Sequence, residues 1–296
     1  MVKEIFAKTI LNRHEHRDSW FLDDYSVGPY HGCPFSCIYC YLKGSKYGER
    51  MEKEFSVKVN APELLEKALI RYGRQGKQGF IAFAGQEVYP PEEEKIKMTR
   101  KLLEIALNYK FPVHILTKST MVPRDFDILH KIDAEAILPK DLKEKLGRGV
   151  ILSFSFSTPD ESVRKIFEPN APSVEERLKT MQRCAEEGFV TGVTFIPALP
   201  YISDTEEKME EMVIKAKENG AQYILVGGLT LFGEGPGDCK NLVLKALEKH
   251  FPELLPKYKE LFKTPYPERF YREELCRKAK AMCEKHKLRY TILQKP

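Results

Sequence analysis

Cysteine is scarce in this chain and unevenly placed. There are seven in 296 residues, and none lies between Cys40 and Cys184. An odd number in a chain of this length argues against a disulfide framework. A second close pair of thiols, which a structural zinc site built from two separated pairs would need, is missing. No apolar run approaches the length that spans a bilayer. The opening Met-Val-Lys-Glu-Ile-Phe-Ala-Lys lacks the apolar core of a secretory signal, so a soluble protein of the reducing cytoplasm, with no membrane partner, is expected. There are no internal repeats, low-complexity tracts or Ser/Gly linkers at which to divide the chain. Charge of one sign is not in excess either. The 48 Lys and Arg face 43 Asp and Glu, and the net +5 does not by itself demand a polyanionic partner.

Hydrophobic residues make up 42% of a length near the upper limit for one core. They fall in a strand-then-helix rhythm. Short apolar runs at Phe80–Gly85, Val113–Thr117, Val150–Ser157, Val190–Pro197 and Tyr223–Leu229 read as strands, with a first one near Tyr25–Tyr30. Helices are expected over Ala61–Tyr72, with Asn60 as N-cap and Pro62 in the first turn, and over Glu92–Leu107. Two more run over Ser173–Glu187, closed by Gly188, and Asp204–Glu218, closed by Asn219-Gly220. This alternation predicts an α/β protein with a parallel sheet. The expected form is a partial (β/α)6 TIM-type barrel over residues 1–230, with the cysteine loop at 31–42. A C-terminal helical extension over 231–296 packs on the barrel rather than folding alone. A last run, Leu288–Leu293, would add an edge strand.

Two strands carry a further pattern. In strand four, Ser153, Ser155 and Ser157 alternate with Phe154 and Phe156; in strand two, Ala82 and Ala84 alternate with Ile81 and Phe83. A period of two puts the bulky set under the helices and the small or polar set on the inner face. Closed barrels fill that face with branched residues, so small ones leave room for a ligand. Tight sheet packing produces the same pattern.

Three of the seven cysteines, Cys33, Cys37 and Cys40, stand within eight residues, spaced Cys-x3-Cys-x2-Cys, in Tyr-His-Gly-Cys-Pro-Phe-Ser-Cys-Ile-Tyr-Cys-Tyr. Three thiolates on one loop can each ligate one iron of a [4Fe-4S] cube. The fourth iron is then open to a small chelating ligand, where electron-transfer clusters use four cysteines. The alternative is zinc borrowing His31 or a distant histidine, in a metal-stabilised nucleic-acid-binding module. In α/β barrels chemistry gathers at the carboxyl ends of the strands. Those ends carry the cysteine loop, Gly85-Gln86-Glu87-Val88-Tyr89, Thr117-Lys118-Ser119, Ser157-Thr158, Pro197-Ala198-Leu199-Pro200-Tyr201 and Gly227-Gly228.

The cysteine spacing, with Tyr39 just before the last thiol, resembles the signature of the radical S-adenosylmethionine (SAM) enzymes. The run Cys37-Ile38-Tyr39-Cys40-Tyr41-Leu42 resembles the spore photoproduct lyases and their photolyase-like relatives. So do Thr117-Lys118-Ser119 with Arg124-Asp125 beyond it, and Phe167-Glu168-Pro169-Asn170-Ala171-Pro172 with Arg177. The stretch from Gly85 to Glu93 is similar as well, with Glu87 where an Asp is usual. The likeness covers about residues 20–230. It implies a [4Fe-4S] cluster on Cys33, Cys37 and Cys40 and SAM, S-adenosyl-L-methionine, at the open iron. Lys118 would meet the SAM carboxylate, and Glu87 would accept from its ammonium or ribose. Gly85 would admit it closely, Tyr39 would lie against adenine, and Ser153 or Ser155 would supply the strand-four contact.

The implied reaction is reductive cleavage of SAM to a 5′-deoxyadenosyl radical that takes hydrogen from a substrate. The electron comes from an external donor of ferredoxin or flavodoxin type. Two departures stand out. The family's Asn-Pro-Tyr-Arg-Gly-Cys reads Gly28-Pro29-Tyr30-His31-Gly32-Cys33 here. The lyases' hydrogen-donating thiol soon after strand two is missing, and Ala84 is the small residue nearby. Thymine-dimer reversal is therefore not expected, and the substrate stays open among nucleic acid, protein and small metabolites.

Beyond Leu229 the loop Phe232–Cys239 is expected to reach over the barrel mouth, with Cys239 either an ordinary loop thiol or a substrate-side hydrogen donor. A final helix, about Pro267–Lys287, carries Arg269, Arg272 and Arg277 beside Tyr266, Phe270 and Tyr271. That composition fits a phosphate-tracking face; a solvated face fits too, since Glu268, Glu273, Glu274 and Glu284 dilute the charge. Cys276 and Cys283, two turns apart, are expected together as core thiols.

Overall fold

Each apolar run is followed by a helix-length segment, and a parallel neighbour is reached only through such a crossover. The computed structural model describes residues 2–48 and 54–293. The strands β1 (Lys3–Ile5), β2 (Leu11–Arg13), β3 (Tyr25–Val27) and β4 (Tyr30–His31) precede the cysteine loop, and β5 (Ser56–Lys58) follows it. Then α1 (Ala61–Arg74) leads to β6 (Ile81–Phe83), and α2 (Glu93–Ile96) with α3 (Met98–Asn108) to β7 (Val113–Thr117). Next, α4 (Phe126–Glu135) and α5 (Lys140–Leu146) lead to β8 (Val150–Phe156), and α6 (Glu161–Phe167) with α7 (Val174–Glu186) to β9 (Val190–Ala198). Finally α8 (Glu206–Glu218) leads to β10 (Tyr223–Gly228), and α9 (Cys239–His250), α10 (Leu255–Leu261) and α11 (Arg269–His286) follow.

The main sheet runs β10-β9-β8-β7-β6-β3-β2. Its six strands from β3 to β10 are parallel and lie in chain order, the α/β class and open six-stranded half-barrel that the rhythm predicts. The structure adds what apolar runs do not reveal. The short strand β2 pairs antiparallel on the edge, and β1, β5 and β4 form a separate small sheet. Both use segments too short and polar to stand out.

Four expectations are corrected. The run Leu288–Leu293 forms no strand: its one ladder contact is a bridge from Arg289 to Tyr223, and Ile292 packs beside Tyr223 and Leu225. Asn60 stands at the N-cap of α1 as expected, but its side chain makes no capping bond. Its amide bridges the backbone of Ala7 in both directions at 2.9 Å, tying the N-terminal segment down. The helix expected over Glu92–Leu107 breaks at Lys97, which has φ +54°, and the Glu93 carboxylate accepts from the amides of Met98 and Thr99 at 2.9 and 3.1 Å. A carboxylate on those free N–H groups starts a new helix. Cys283 is buried but Cys276 is exposed. The buried stripe of α11 climbs by fours through Leu275, Ala279 and Cys283, so it slants around the helix and leaves Cys276 off the seam.

The sheet has two distinct faces. Leu152, Phe154 and Phe156 pack outward into the main core with the helices. Inward, Ile151 joins Phe80, Tyr223 and Leu225 over Leu22, which closes the floor. A third apolar group sits at the mouth, where Phe35, Cys37 and Tyr39 pack with Phe167, Leu229 and Leu231 and with Val243, Leu247 and Tyr258 of α9 and α10. The C-terminal extension therefore lies directly on the cysteine loop. The amide of Cys239 donates to Lys43 O at 3.1 Å.

Candidate active site at the strand ends

Gly32, at φ +77°, turns the chain out of β4 into the cysteine loop. Bonds from Ser36 N to Cys33 O (3.2 Å) and Cys40 N to Cys37 O (3.3 Å) give each half of the loop one turn. Cys37 is buried, Cys33 and Cys40 are half-buried, and all three are free thiols. They sense one another. Burial pushes Cys33 up to about 11, with Glu87 and Cys40 adding to it. Burial pushes Cys37 to about 12; Lys118 opposes this, while Glu168 and the other two thiols add to it. Thiolates gathered here are unfavourable until a positive metal core offsets them. Among the described residues, no three His, Cys, Asp or Glu side chains close in tightly enough to hold a single metal ion. The donor set, three thiols from one loop, fits a cube with one open iron.

The other thiols lie elsewhere. Cys184 and Cys283 are in the outer core. Cys239 is fully buried, its sulfur accepting from Phe232 N at 3.1 Å, which makes it the ordinary loop thiol.

The inner face of β7 continues from His114 through Leu116 to Lys118. Lys118 Nζ donates to Ser155 Oγ at 2.5 Å, lies 3.7 Å from Glu168 Oε1 and sits 5.9 Å from the Tyr39 ring centre. An ammonium has three N–H donors, so this half-buried one keeps donors for an incoming carboxylate. Gly85, at φ +88°, faces open space, and a Cβ there would meet nothing within 4 Å.

Three expected site residues are placed differently from the sequence reading. Glu87 is buried and its carboxylate is occupied: it accepts from Tyr89 N (2.9 Å), Thr117 Oγ1 (2.5 Å) and Lys118 N (3.0 Å), clamping the ends of β6 and β7 together. Burial raises its pKa against those three donors. Tyr39 is no open shelf. It is 7% exposed, and its hydroxyl donates to Glu168. Ser153 sits one layer below Ser155, fully buried. His114 Nδ1 donates to Phe21 O at 2.8 Å, its Nε2 accepts from Ser153 Oγ at 2.7 Å, and Ser153 Oγ accepts from Tyr223 at 2.6 Å. Burial holds His114 down to about 4, hence neutral. Gly192 leaves room for the Tyr223 ring, which a Cβ there would approach to 2.5 Å. This layer is a satisfied polar floor.

The residue that the site reading missed is Glu168, fully buried at the end of α6. Arg177 Nη2 lies 2.7 Å from its Oε2, and Arg177 Nη1 donates to Ser155 O at 2.7 Å. Burial alone would raise the Glu168 carboxyl, but Arg177, Lys118 and the hydroxyls of Tyr39 and Ser157 outweigh it and bring it to about 2. Arg177 is aimed from the first turn of α7, whose start is fixed by the reciprocal Ser173–Glu176 capping box. One carboxylate thus joins the cysteine loop, through Tyr39, to Lys118 and the Ser155 strand. In the sequence its only signal was the Glu-Pro-Asn-Ala-Pro segment, read as a resemblance and not as a site.

Three residues of the basic helix face are in ion pairs. Arg269 meets Glu273, Arg277 meets Glu274 and Lys285 meets Glu210. Among the described residues no helix is long and apolar enough to cross a membrane.

The fold is shared with spore photoproduct lyase. The structure of that enzyme complexed with dinucleoside spore photoproduct matches with a TM-score of 0.64 at 15% identity, covering 95% of this chain and 78% of the lyase. An uncharacterised protein of Mycobacterium tuberculosis is 24% identical over 96% of this chain and 81% of its own length. An uncharacterised protein of Methanocaldococcus jannaschii is 26% identical over 62% of this chain and 63% of its own length. Residues 27–213, more than half of the chain and spanning the cysteine loop, Lys118 and Glu168, match the sequence model of the Radical SAM superfamily. That superfamily uses a [4Fe-4S] cluster and SAM and needs an electron donor, and this chain belongs to it.

Proposed function

We propose that Cys33, Cys37 and Cys40 hold the cluster and that Lys118 receives the SAM carboxylate, with Ser155 and Glu168 fixing its ammonium between them. Such a group, when bound, would supply the one electron needed for reductive cleavage of SAM at its S–C5′ bond to methionine and a 5′-deoxyadenosyl radical. The chain's own part is positioning and exclusion of water. Gly85 leaves the wall open where SAM approaches. The floor of Ser153, His114 and Tyr223 closes the lumen below, and the C-terminal helices cover the cysteine loop above. The observation that carries the reading is the placement of Lys118, the inner-face lysine of β7, beside the cysteine loop.

The substrate loses a hydrogen to that radical. Thymine-dimer reversal is not proposed: outside the cysteine loop, each thiol is in the outer core, on the exposed face of α11 or sealed under Phe232. The favoured reading is an enzyme acting on a different substrate, supplied with electrons by a ferredoxin or flavodoxin-type carrier in the cytoplasm. A radical SAM enzyme acting on RNA or protein falls within it. The zinc-module alternative is disfavoured by the match of residues 27–213 to the Radical SAM superfamily.

Lys118→Ala should weaken SAM binding by about 1.5–3 kcal/mol, the range of a hydrogen bond to a charged group, while iron content stays at the wild-type level. Equilibrium binding of SAM to the reconstituted protein reads this directly. Unchanged affinity would return Lys118 to the role of a strand-end charge.

A further inference from the structure

We propose that the turn after α6, Phe167–Asn170, is a latch that holds the cysteine loop in its metal-receiving shape before any metal arrives, with Glu168 and Asn170 as positioning residues. The proposal rests on the reading of Cys33, Cys37 and Cys40 as the cluster ligands.

The loop has little structure of its own. Its two internal turns each span only one gap between cysteines. Near its base Lys43 N donates to Cys40 O at 2.9 Å and Lys43 Nζ to Ser36 O at 3.3 Å, and four further bonds come from this one distant turn. Asn170 Nδ2 donates to Pro34 O at 3.0 Å and Asn170 N to Phe35 O at 3.4 Å. Ile38 N donates to Phe167 O at 3.0 Å, and the Tyr39 hydroxyl donates to Glu168. The first two contacts fall between Cys33 and Cys37, and the last two between Cys37 and Cys40. Both gaps between ligands are therefore fixed by the same partner.

The partner is itself rigid. Arg164, 6% exposed, donates through Nη1 to Glu168 O at 2.7 Å and Ala171 O at 2.9 Å. Its other edge meets Glu161 at 2.8 Å. A planar fork of fixed geometry spanning two carbonyls shapes the turn, and Pro169 fixes one of its φ angles. The turn shapes the loop because its own form does not depend on the loop. A loop held this way loses little further freedom when three mutually repelling thiols take up metal, whereas a free loop would bear that entropy at the moment of binding.

The test uses the full chain, first without metal. Asn170→Ala removes an exposed side chain and its bond to Pro34, and Tyr39→Phe removes one hydroxyl. Loss of one ordinary hydrogen bond shifts local opening about fivefold, and loss of one to a buried carboxylate about tenfold or more. Amide exchange across residues 34–41 should therefore rise about fivefold in Asn170→Ala and about tenfold or more in Tyr39→Phe, with exchange elsewhere unchanged. On anaerobic addition of iron and sulfide, uptake should slow by a similar factor and reach the wild-type stoichiometry. Wild-type exchange at 34–41 in both variants would overturn the latch, and so would a rise spread evenly over the chain. Failure of the cluster reading shows separately, as wild-type protein that takes up no iron.

Discussion

Replacing Cys33, Cys37 and Cys40 together by alanine should leave the anaerobically reconstituted protein without iron or sulfide, a fall from about four irons per chain to none. The effect is this large because the loop offers three ligands and no spare. Among the other thiols, Cys239 is buried at the start of α9 and its sulfur is engaged with the Phe232 amide. Each single alanine variant of the three should lose the cluster as well. Cys184→Ala, Cys239→Ala and Cys283→Ala should keep it, since those side chains stand in packed surroundings away from the gap. Iron and acid-labile sulfide measured per chain decide the matter, and full iron in the triple variant would contradict the assignment.

The second large effect is on stability. Arg177→Met should lower it by about 3–5 kcal/mol, because Glu168 would keep its charge in the interior with its nearest charged partner gone. In a chain of this size that corresponds to a melting midpoint lower by about 6–15 °C. Most of the loss is the orphaned carboxylate, so Glu168→Gln in the same molecule should recover more than half of it. A midpoint in Arg177→Met within about 2 °C of wild type would show that the buried pair does not hold the strand ends together.

Much of the frame can be read from residue order. The run Val113–Thr117 is one strand in both the sequence reading and the structure, because four apolar or β-branched residues in five, bounded by Pro112 and Lys118, leave few choices. The two faces of Val150–Phe156 follow from a period of two. The cysteine spacing names its chemistry because no ordinary core places three thiols so close. Other features depend on distant partners. Lys97 ends a helix although lysine is a good helix former, because the Glu93 carboxylate rewards the break by capping the next helix. Tyr39 looks like a loop aromatic available to a ligand, yet Glu168, 129 residues away, captures its hydroxyl. Glu168 itself reads as a solvated charge at a helix end. Arg177, one turn into the following helix, with Lys118 and the Tyr39 hydroxyl, makes its burial tolerable. Glu87 shows the same limit: a strand-end carboxylate suits a ligand, but the nearest unpaired donors are the peptides and hydroxyl of its own neighbouring strands.

The most direct test of the central claim is whether SAM is cleaved. Reconstituted protein, reduced chemically under anaerobic conditions and given SAM alone, should slowly release 5′-deoxyadenosine and methionine in equal amounts. Release should be absent without reductant and absent in the triple cysteine variant. With dinucleoside spore photoproduct added, 5′-deoxyadenosine should still appear and the photoproduct should not be converted to thymidine dinucleotide at an appreciable rate. A protein that carries a full complement of reduced cluster, binds SAM and yields no 5′-deoxyadenosine would contradict the account.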